Sequence, residues 1–466
     1  MTERQAIASY RERIATALGE GWRFAGLHAT SDGERVSTLL ADRTGATRLE
    51  SVVVEQRAVP SIVDLVPAAG WDEREAHDLQ DVDFAGHEPL RPLIKHDLQL
   101  DHWTVPVRGG DAYQVAVGPI HAGIIESGHF RLHVVGERIL HLDTRLFYKH
   151  RGLERAAEGQ TLDEGLAYAT RACAACAVAN GVAYAHACED VLGLAPNVEL
   201  ARVRTILLEL ERMWNHLNDL AAVCSGVGLA AGNNHFAALT ERARRLNAKL
   251  TGHRFLFGTI HVGRSDITLH RDDVRTAAEE VAALGTEARR GWRELRFNRS
   301  FQDRLPDIGI VDAAAAERLG AVGPAARAAG LADDLRASSP RLAYEGFEPV
   351  APERAAGDVQ ARVEQRALEL EQTLAQLERL LDGRIGPATA TPGAQGQPIG
   401  IGRVESPRGA TTCIVERSDD RIERLRLRTG SYANWPAVAH AAVDNLLPDF
   451  PLINKSFELC YACADR

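Results

Sequence analysis

Apolar residues recur every three or four positions over long stretches of the second half of this chain. They alternate with polar ones only in short runs nearer its start. In the segment 197–223, Leu200, Val203, Leu207, Leu210, Trp214 and Leu217 form one helical stripe fit for burial. Glu209, Arg212, His216 and Asp219 line a second, polar stripe of that helix, whose ordinary place is a solvated or domain-contacting face. Segments 274–295 and 363–382 predict two further long helices, and an Ala-rich stretch, 312–337, predicts helix interrupted by glycines. Earlier, 8–19 predicts a helix and 50–56 a strand, and 59–79 predicts a helical stretch opened by proline. Residues 112–142 alternate apolar and polar positions with glycines at turns, so strands or a hairpin are expected there. A Gly/Pro-rich loop, 384–402, precedes a compact C-terminal region, and no internal repeat is visible. The fold class expected is α+β: an N-terminal α/β module over 1–105, then a mainly helical domain with a small β-rich portion over 106–466.

With 466 residues, 45 % of them hydrophobic and 25 % charged, the chain suits more than one globular domain. A net charge of −10, with no long basic run rich in aromatics, argues against a nucleic-acid partner. The first residues lack an apolar core with a small-residue cleavage site, and no window reaches the about 18 apolar residues of a membrane span. Any membrane association is therefore expected through a partner. Seven cysteines, an odd number without an export signal, fit the reducing cytoplasm better than a disulfide framework.

Four of those cysteines carry the chemistry. Cys173 and Cys176 stand in TRACAACAVANG, which reads as a helix full of small residues. Cys460 and Cys463 stand in SFELCYACADR, 284 positions beyond Cys176 (460 − 176). Two thiolates three positions apart can grip a metal from one turn, and two such turns can close a four-sulfur site. Either pair alone reads as buried cysteine or as part of a zinc site; together they point to one shared metal. Cys188, Cys224 and Cys413 lack the spacing and read as buried apolar residues.

Two further segments bear on a site. In SPRG (406–409), proline and glycine flank Arg408, which could aim a planar guanidinium into a pocket or simply stand in a surface turn. ESGHFR offers Glu126 and His129 beside a glycine turn, as a proton relay or as an ordinary surface hairpin.

Several segments together resemble one family. GPIHAGIIESGHFRLHVVGE, LFYKHRGLERAAEG, the Cys173/Cys176 segment, LLELERMWNHLNDL, ESPRGA and the terminal cysteines run in the order found in large subunits of membrane-associated nickel–iron hydrogenases. The formate-hydrogenlyase and hydrogenase-4 type is the nearest in pattern. WDEREAHDLQDVDFAGHEPLRPL resembles the end of the 30-kDa subunit of respiratory complex I, so the chain resembles a fusion of 30-kDa and 49-kDa subunits. The resemblance implies that Cys173, Cys176, Cys460 and Cys463 hold nickel, Cys176 and Cys463 also bridging to an iron with CO and cyanide ligands. It implies reversible conversion of H2 to protons and electrons, a cysteine thiolate (Cys460) taking the proton. Glu126 would pass that proton toward solvent, Arg408 would stand over the metals, and Glu154 would serve a second cation, magnesium or iron, near the C-terminus.

The partners implied are an iron–sulfur small subunit, complex-I-like membrane subunits and maturation factors, with the chain peripheral on the cytoplasmic face of the inner membrane. A structural or quinone-site subunit of a complex-I-like oxidoreductase is the alternative. The family's CGIC is CAAC here, Thr170 replaces the acidic residue often found before it, and Glu458-Leu459 replaces Asp-Pro. The end at Arg466 reads as a processed form or as a variant that needs no cleavage.

Overall fold

A computed structural model describes residues 3–95, 105–107, 110–121 and 126–466. The stretch where the sequence places the module boundary, about 100 to 110, lies largely outside the described residues.

The N-terminal module begins with α1 (Glu3–Gly19), followed by an antiparallel sheet in the order β1 (Arg23–Ala29), β2 (Arg35–Ala41), β3 (Thr47–Val53). Tyr10, Ile14, Leu27, Val36, Val59, Ile62 and Phe84 form its core. The proline-opened helix expected over 59–79 is shorter: β4 (Ala58–Pro60) pairs in parallel with β5 (Asp83–Ala85), and α2 spans only Gly70–Gln80. Pro60, whose ring removes a backbone donor, thus ends a strand instead of opening a helix.

Three antiparallel strands follow, β6 (Tyr113–Val117), β7 (His129–Val135) and β8 (Arg138–Arg145), then a helical body. Short helices α3 (Leu153–Ala157) and α4 (Leu162–Thr170) lead to α5 (Ala177–Leu192), α6 (Val198–Gly226), α7 (Ala230–Thr251) and α8 (Arg271–Phe297). Asn197 caps α6, accepting from the Leu200 N–H at 2.8 Å. The expected apolar stripe, Leu200 through Leu217, is buried throughout. In α8, Val274, Ala277, Val281, Leu284, Ala288 and Leu295 are buried at helical spacing. The helix Val359–Leu380 packs against α6 and α8, and the Ala-rich region holds two short helices, Ala313–Arg318 and Gly323–Ala328.

Behind α5 lies the C-terminal sheet, three antiparallel strands at Ile399–Ser406, Gly409–Ser418 and Arg421–Arg428. Its first strand touches α5 backbone to backbone. A Cβ on Gly400 or Gly402 would collide with the carbonyl oxygens of Ala187 and Ala183, so the small residues of α5 and these glycines are one feature. The outer strand of this sheet also fastens the N-terminal module. Arg424 and Arg426 donate from Nε to the β1 carbonyls of Ala29 and Leu27, at 3.1 and 3.2 Å. Among the described residues, no helix is long and apolar enough to cross a membrane.

Candidate metal centre

The first cysteine pair does not lie inside a helix, as its small-residue setting suggests. α4 stops at Thr170, Cys173 is extended (φ −155°, ψ 134°), and Ala174–Cys176 make a single 3-10 turn before α5 starts at Ala177. That break lets both thiols of the turn face one way. The second pair follows the helix Phe450–Phe457, where Glu458 turns the chain through a left-handed conformation (φ 49°) into Cys460 and the closing turn Tyr461–Asp465. The four sulfur atoms lie within 4.8 Å of one another. Cys173, Cys176 and Cys463 are buried, and Cys460 is half-buried. Cys188, Cys224 and Cys413 are buried apart from this cluster.

Each turn is pinned from behind. Glu211 on α6 accepts from the first free N–H groups of α5, Val178 at 2.6 Å and Ala179 at 3.0 Å. One helical turn on, Asn215 donates to the Ala175 carbonyl at 2.8 Å, inside the CAAC turn. On the other side, Ser431 accepts from the Cys460 N–H at 3.0 Å and Thr429 donates to the Cys463 carbonyl at 3.0 Å. Glu126 accepts from the Ala462 N–H at 2.7 Å, so its carboxylate sits against the second cysteine turn. His129 lies at the start of β7, its Nδ1 3.3 Å from the Gly118 carbonyl.

Arg408 is 3 % exposed, so SPRG is an interior turn. Its guanidinium makes a forked pair with Asp219, at 2.5 and 2.8 Å, and Nη2 also donates to Asn215 Oδ1 at 3.2 Å. Arg212 donates to the carbonyls of Glu405 and Ser406, at 2.6 and 3.1 Å, fixing the strand that leads into this turn. The polar stripe of α6 is therefore not solvated: Glu209, Arg212, His216 and Asp219 are all fully buried. That stripe leaves out Glu211 and Asn215, although with Asp219 they fall at i, i+4 and i+8. This spacing is the signal that one helix face holds both halves of the site.

The electrostatics follow from burial and from Arg408. Hydrogen bonds from Cys173, Cys176 and Cys463, with the Arg408 charge, hold Cys460 well below the usual thiol range, while Cys176 and Cys463 are pushed well above it. Burial raises Glu126, against the opposing Ala462 N–H. Burial also pushes Glu458 up to about 8, helped by the Asp219 and Cys460 charges and opposed by Arg408 and Arg366. Asp219 goes the other way, to about 2: burial works to raise it, but Arg408, His216 and Arg366 outweigh that.

The donor set fits a soft transition metal. Four thiols facing one another cannot all ionise unless a cation stands between them. Asn180 adds a second sign. It lies one helical turn beyond Cys176, is wholly buried, and neither amide atom has a hydrogen-bond partner among the described residues. A buried amide left so is costly, and a water or a group not made of protein could satisfy it.

Glu154, expected to serve a second cation, faces cations of the chain's own. Arg466 Nη1 reaches its Oε1 at 2.9 Å, Arg426 at 3.4 Å, Arg424 its Oε2 at 3.5 Å, and the Leu427 N–H donates to Oε1 at 2.9 Å. Arg466 also pairs with Glu75 of α2 at 2.7 Å. Three guanidinium groups thus pair with Glu154.

Two family models match the chain: "Respiratory-chain NADH dehydrogenase, 30 Kd subunit" over residues 26–110 and "Respiratory-chain NADH dehydrogenase, 49 Kd subunit" over 228–395. Formate hydrogenlyase subunit 5 of Escherichia coli (strain K12) is 31 % identical over 437 residues, 87 % of this chain and 77 % of that one. Hydrogenase-4 component G of the same organism is 31 % identical over 447 residues, 89 % of this chain and 77 % of its own length. Among solved structures, a chain of the membrane-bound sulfane sulfur reductase, an archaeal respiratory membrane complex, superposes with a TM-score of 0.70 at 27 % identity, covering 76 % of this chain and 99 % of that one. The chain belongs to the family of hydrogenase large subunits that includes formate hydrogenlyase subunit 5 and hydrogenase-4 component G, in which 30-kDa-like and 49-kDa-like segments of the respiratory NADH dehydrogenase are fused.

Proposed function

We propose that this chain is the catalytic large subunit of a membrane-bound nickel–iron hydrogenase complex, interconverting H2 with two protons and two electrons. The convergence of four thiols from residues 284 positions apart, beside a fixed arginine and a raised carboxyl, carries this reading. Cys173, Cys176, Cys460 and Cys463 would hold nickel, with Cys176 and Cys463 also holding an iron that bears CO and cyanide. When bound, these metals supply the centre at which H2 is polarised and cleaved.

The chain's own groups do the rest. Cys460 Sγ, the half-buried thiol of the four, takes the proton. Glu126, against the Cys460–Cys463 turn, receives it and releases it toward solvent. Arg408 sets a fixed positive charge beside Cys460, and Asp219 and Asn215 hold it there. Residues 1–105 form the 30-kDa-like module, and 106–466 form the catalytic domain. Electrons leave through an iron–sulfur small subunit, maturation factors load the metals, and complex-I-like subunits anchor the assembly at the cytoplasmic face of the membrane.

The likeness to NADH-quinone oxidoreductase subunits, one of them from Solibacter usitatus at 29 % identity, favours a second reading: a structural or quinone-site subunit without H2 chemistry. Isotope exchange separates the two. The complex, incubated with D2 in ordinary water, is expected to form HD and H2, and to lose this in Cys460→Ser. A metal-loaded complex that forms neither gas would defeat the hydrogenase reading.

A further inference from the structure

Where the N-terminal module meets the helical body, packing opens into a cavity of about 590 Å³, within the range of about 300–1,000 Å³ that suits small organic ligands. Its walls come from both parts: Trp22, Leu65 and Val66 on one side, Val322, Leu331 and Leu335 on the other. None of the four clustered cysteines lines it, nor does Glu126 or Arg408, so a ligand here is independent of the hydrogenase reading.

One polar group in this wall is out of balance. Arg403, on the first strand of the C-terminal sheet, makes a long bond from Nε to Thr412 Oγ1, 3.4 Å, while its Nη1 is buried with no partner among the described residues. The carboxylates near enough to neutralise it are committed elsewhere. Glu405 accepts from Arg327 at 2.9 Å and from the Leu335 N–H at 3.3 Å. Asp42 closes its own turn, accepting from the N–H groups of Thr44 and Ala46 at 2.9 Å each. Burial accordingly pulls Arg403 down to about 10, with Glu405 and Asp42 offsetting only part and Arg428 adding to the strain.

We propose that this cavity binds a small organic anion, an apolar chain or ring carrying a single carboxylate or phosphate. The anionic group sits on Arg403, and the apolar body lies against Trp22, Leu331 and Leu335. A polyphosphate would need several free cations, yet Arg23 and Arg43 in the same wall are already paired with Asp333, and Arg318 shares the wall with Glu317 and Asp334. The anion is therefore expected to carry one charged group.

The test uses the full chain in its complex, titrated calorimetrically with dodecanoate and dodecyl phosphate, with dodecanol as the uncharged probe. One of the two anions is expected to bind saturably, one per chain, and at least about tenfold more tightly than dodecanol. Whichever anion wins tells carboxylate from phosphate. Arg403→Gln is expected to erase that advantage. Ala332→Trp, at an exposed lining position that tolerates change, is expected to block binding while the folded complex persists. Absence of saturable binding by either anion, or anion binding unchanged in both variants, would overturn the assignment.

Discussion

The final turn of the chain enters two buried clusters a few residues apart, one of thiols and one of charges. Cys460 and Cys463 meet Cys173 and Cys176, with no cation of the chain in their midst among the described residues, and Arg408 is bound to Asp219. Arg466 meets Glu75 and Glu154 with Arg426 and Arg424 beside it, and each carboxylate there already has guanidinium partners. Both clusters tie distant segments together. The four thiols form a metal-type donor set, whereas the carboxylates of the charge cluster already have guanidinium partners. A concentration of ligand-type residues is thus not enough to mark an ion site; what matters is whether the protein's own counter-charges fill it.

Changing the thiol side should have the largest effect. Cys463→Ser is expected to abolish nickel retention and H2 activity together, read by elemental analysis and gas exchange, because one of four soft donors is lost. Retained stoichiometric nickel would break the comparison. Next, Glu126→Gln should slow turnover about 10²–10⁴-fold with nickel content unchanged, since a relay group is removed and no ligand is. Equal loss of metal and activity would instead make Glu126 part of the frame.

The charge side predicts stability effects. Glu154→Gln leaves guanidinium charge without its partner and should cost about 3–5 kcal/mol in chemical denaturation, with no metal released beforehand. Glu75 makes the pH dependence specific. Burial works to raise it, but Arg426 and Arg466 carry it down to about 2 from an ordinary 4.5. A lowered carboxyl contributes its stability above its unfolded value, and that contribution is lost as pH falls from about 4.5 through about 2. Glu75→Gln should therefore flatten the acid limb of the stability profile in that window. The smallest expected effect is none at all: added magnesium or its chelation should leave the melting temperature unmoved, because Arg424, Arg426 and Arg466 already pair with Glu154.

How far the sequence shows this in advance can be judged residue by residue. Spacing alone picks out the four cysteines, and the apolar stripe of α6 lies where periodicity places it. The break at Cys173 is not legible, because small residues that suit a helix also suit the turn that interrupts one. The α6 polar face misleads for a different reason. Charge on a helix ordinarily means solvent, and only the folded chain shows Arg408 and the CAAC turn arriving to meet Asp219, Asn215 and Glu211. Glu154 stands beside a plausible ion site in the sequence, but its partners Arg424, Arg426 and Arg466 come from 270, 272 and 312 positions away. No local pattern carries that information.

Metal analysis combined with infrared spectroscopy, on the chain produced with its small subunit and maturation factors, tests the central claim most directly. The account predicts about one nickel per chain, with CO and cyanide stretching bands that vanish in Cys463→Ser. Zinc alone, or no metal, in preparations where a control hydrogenase matures normally would contradict it.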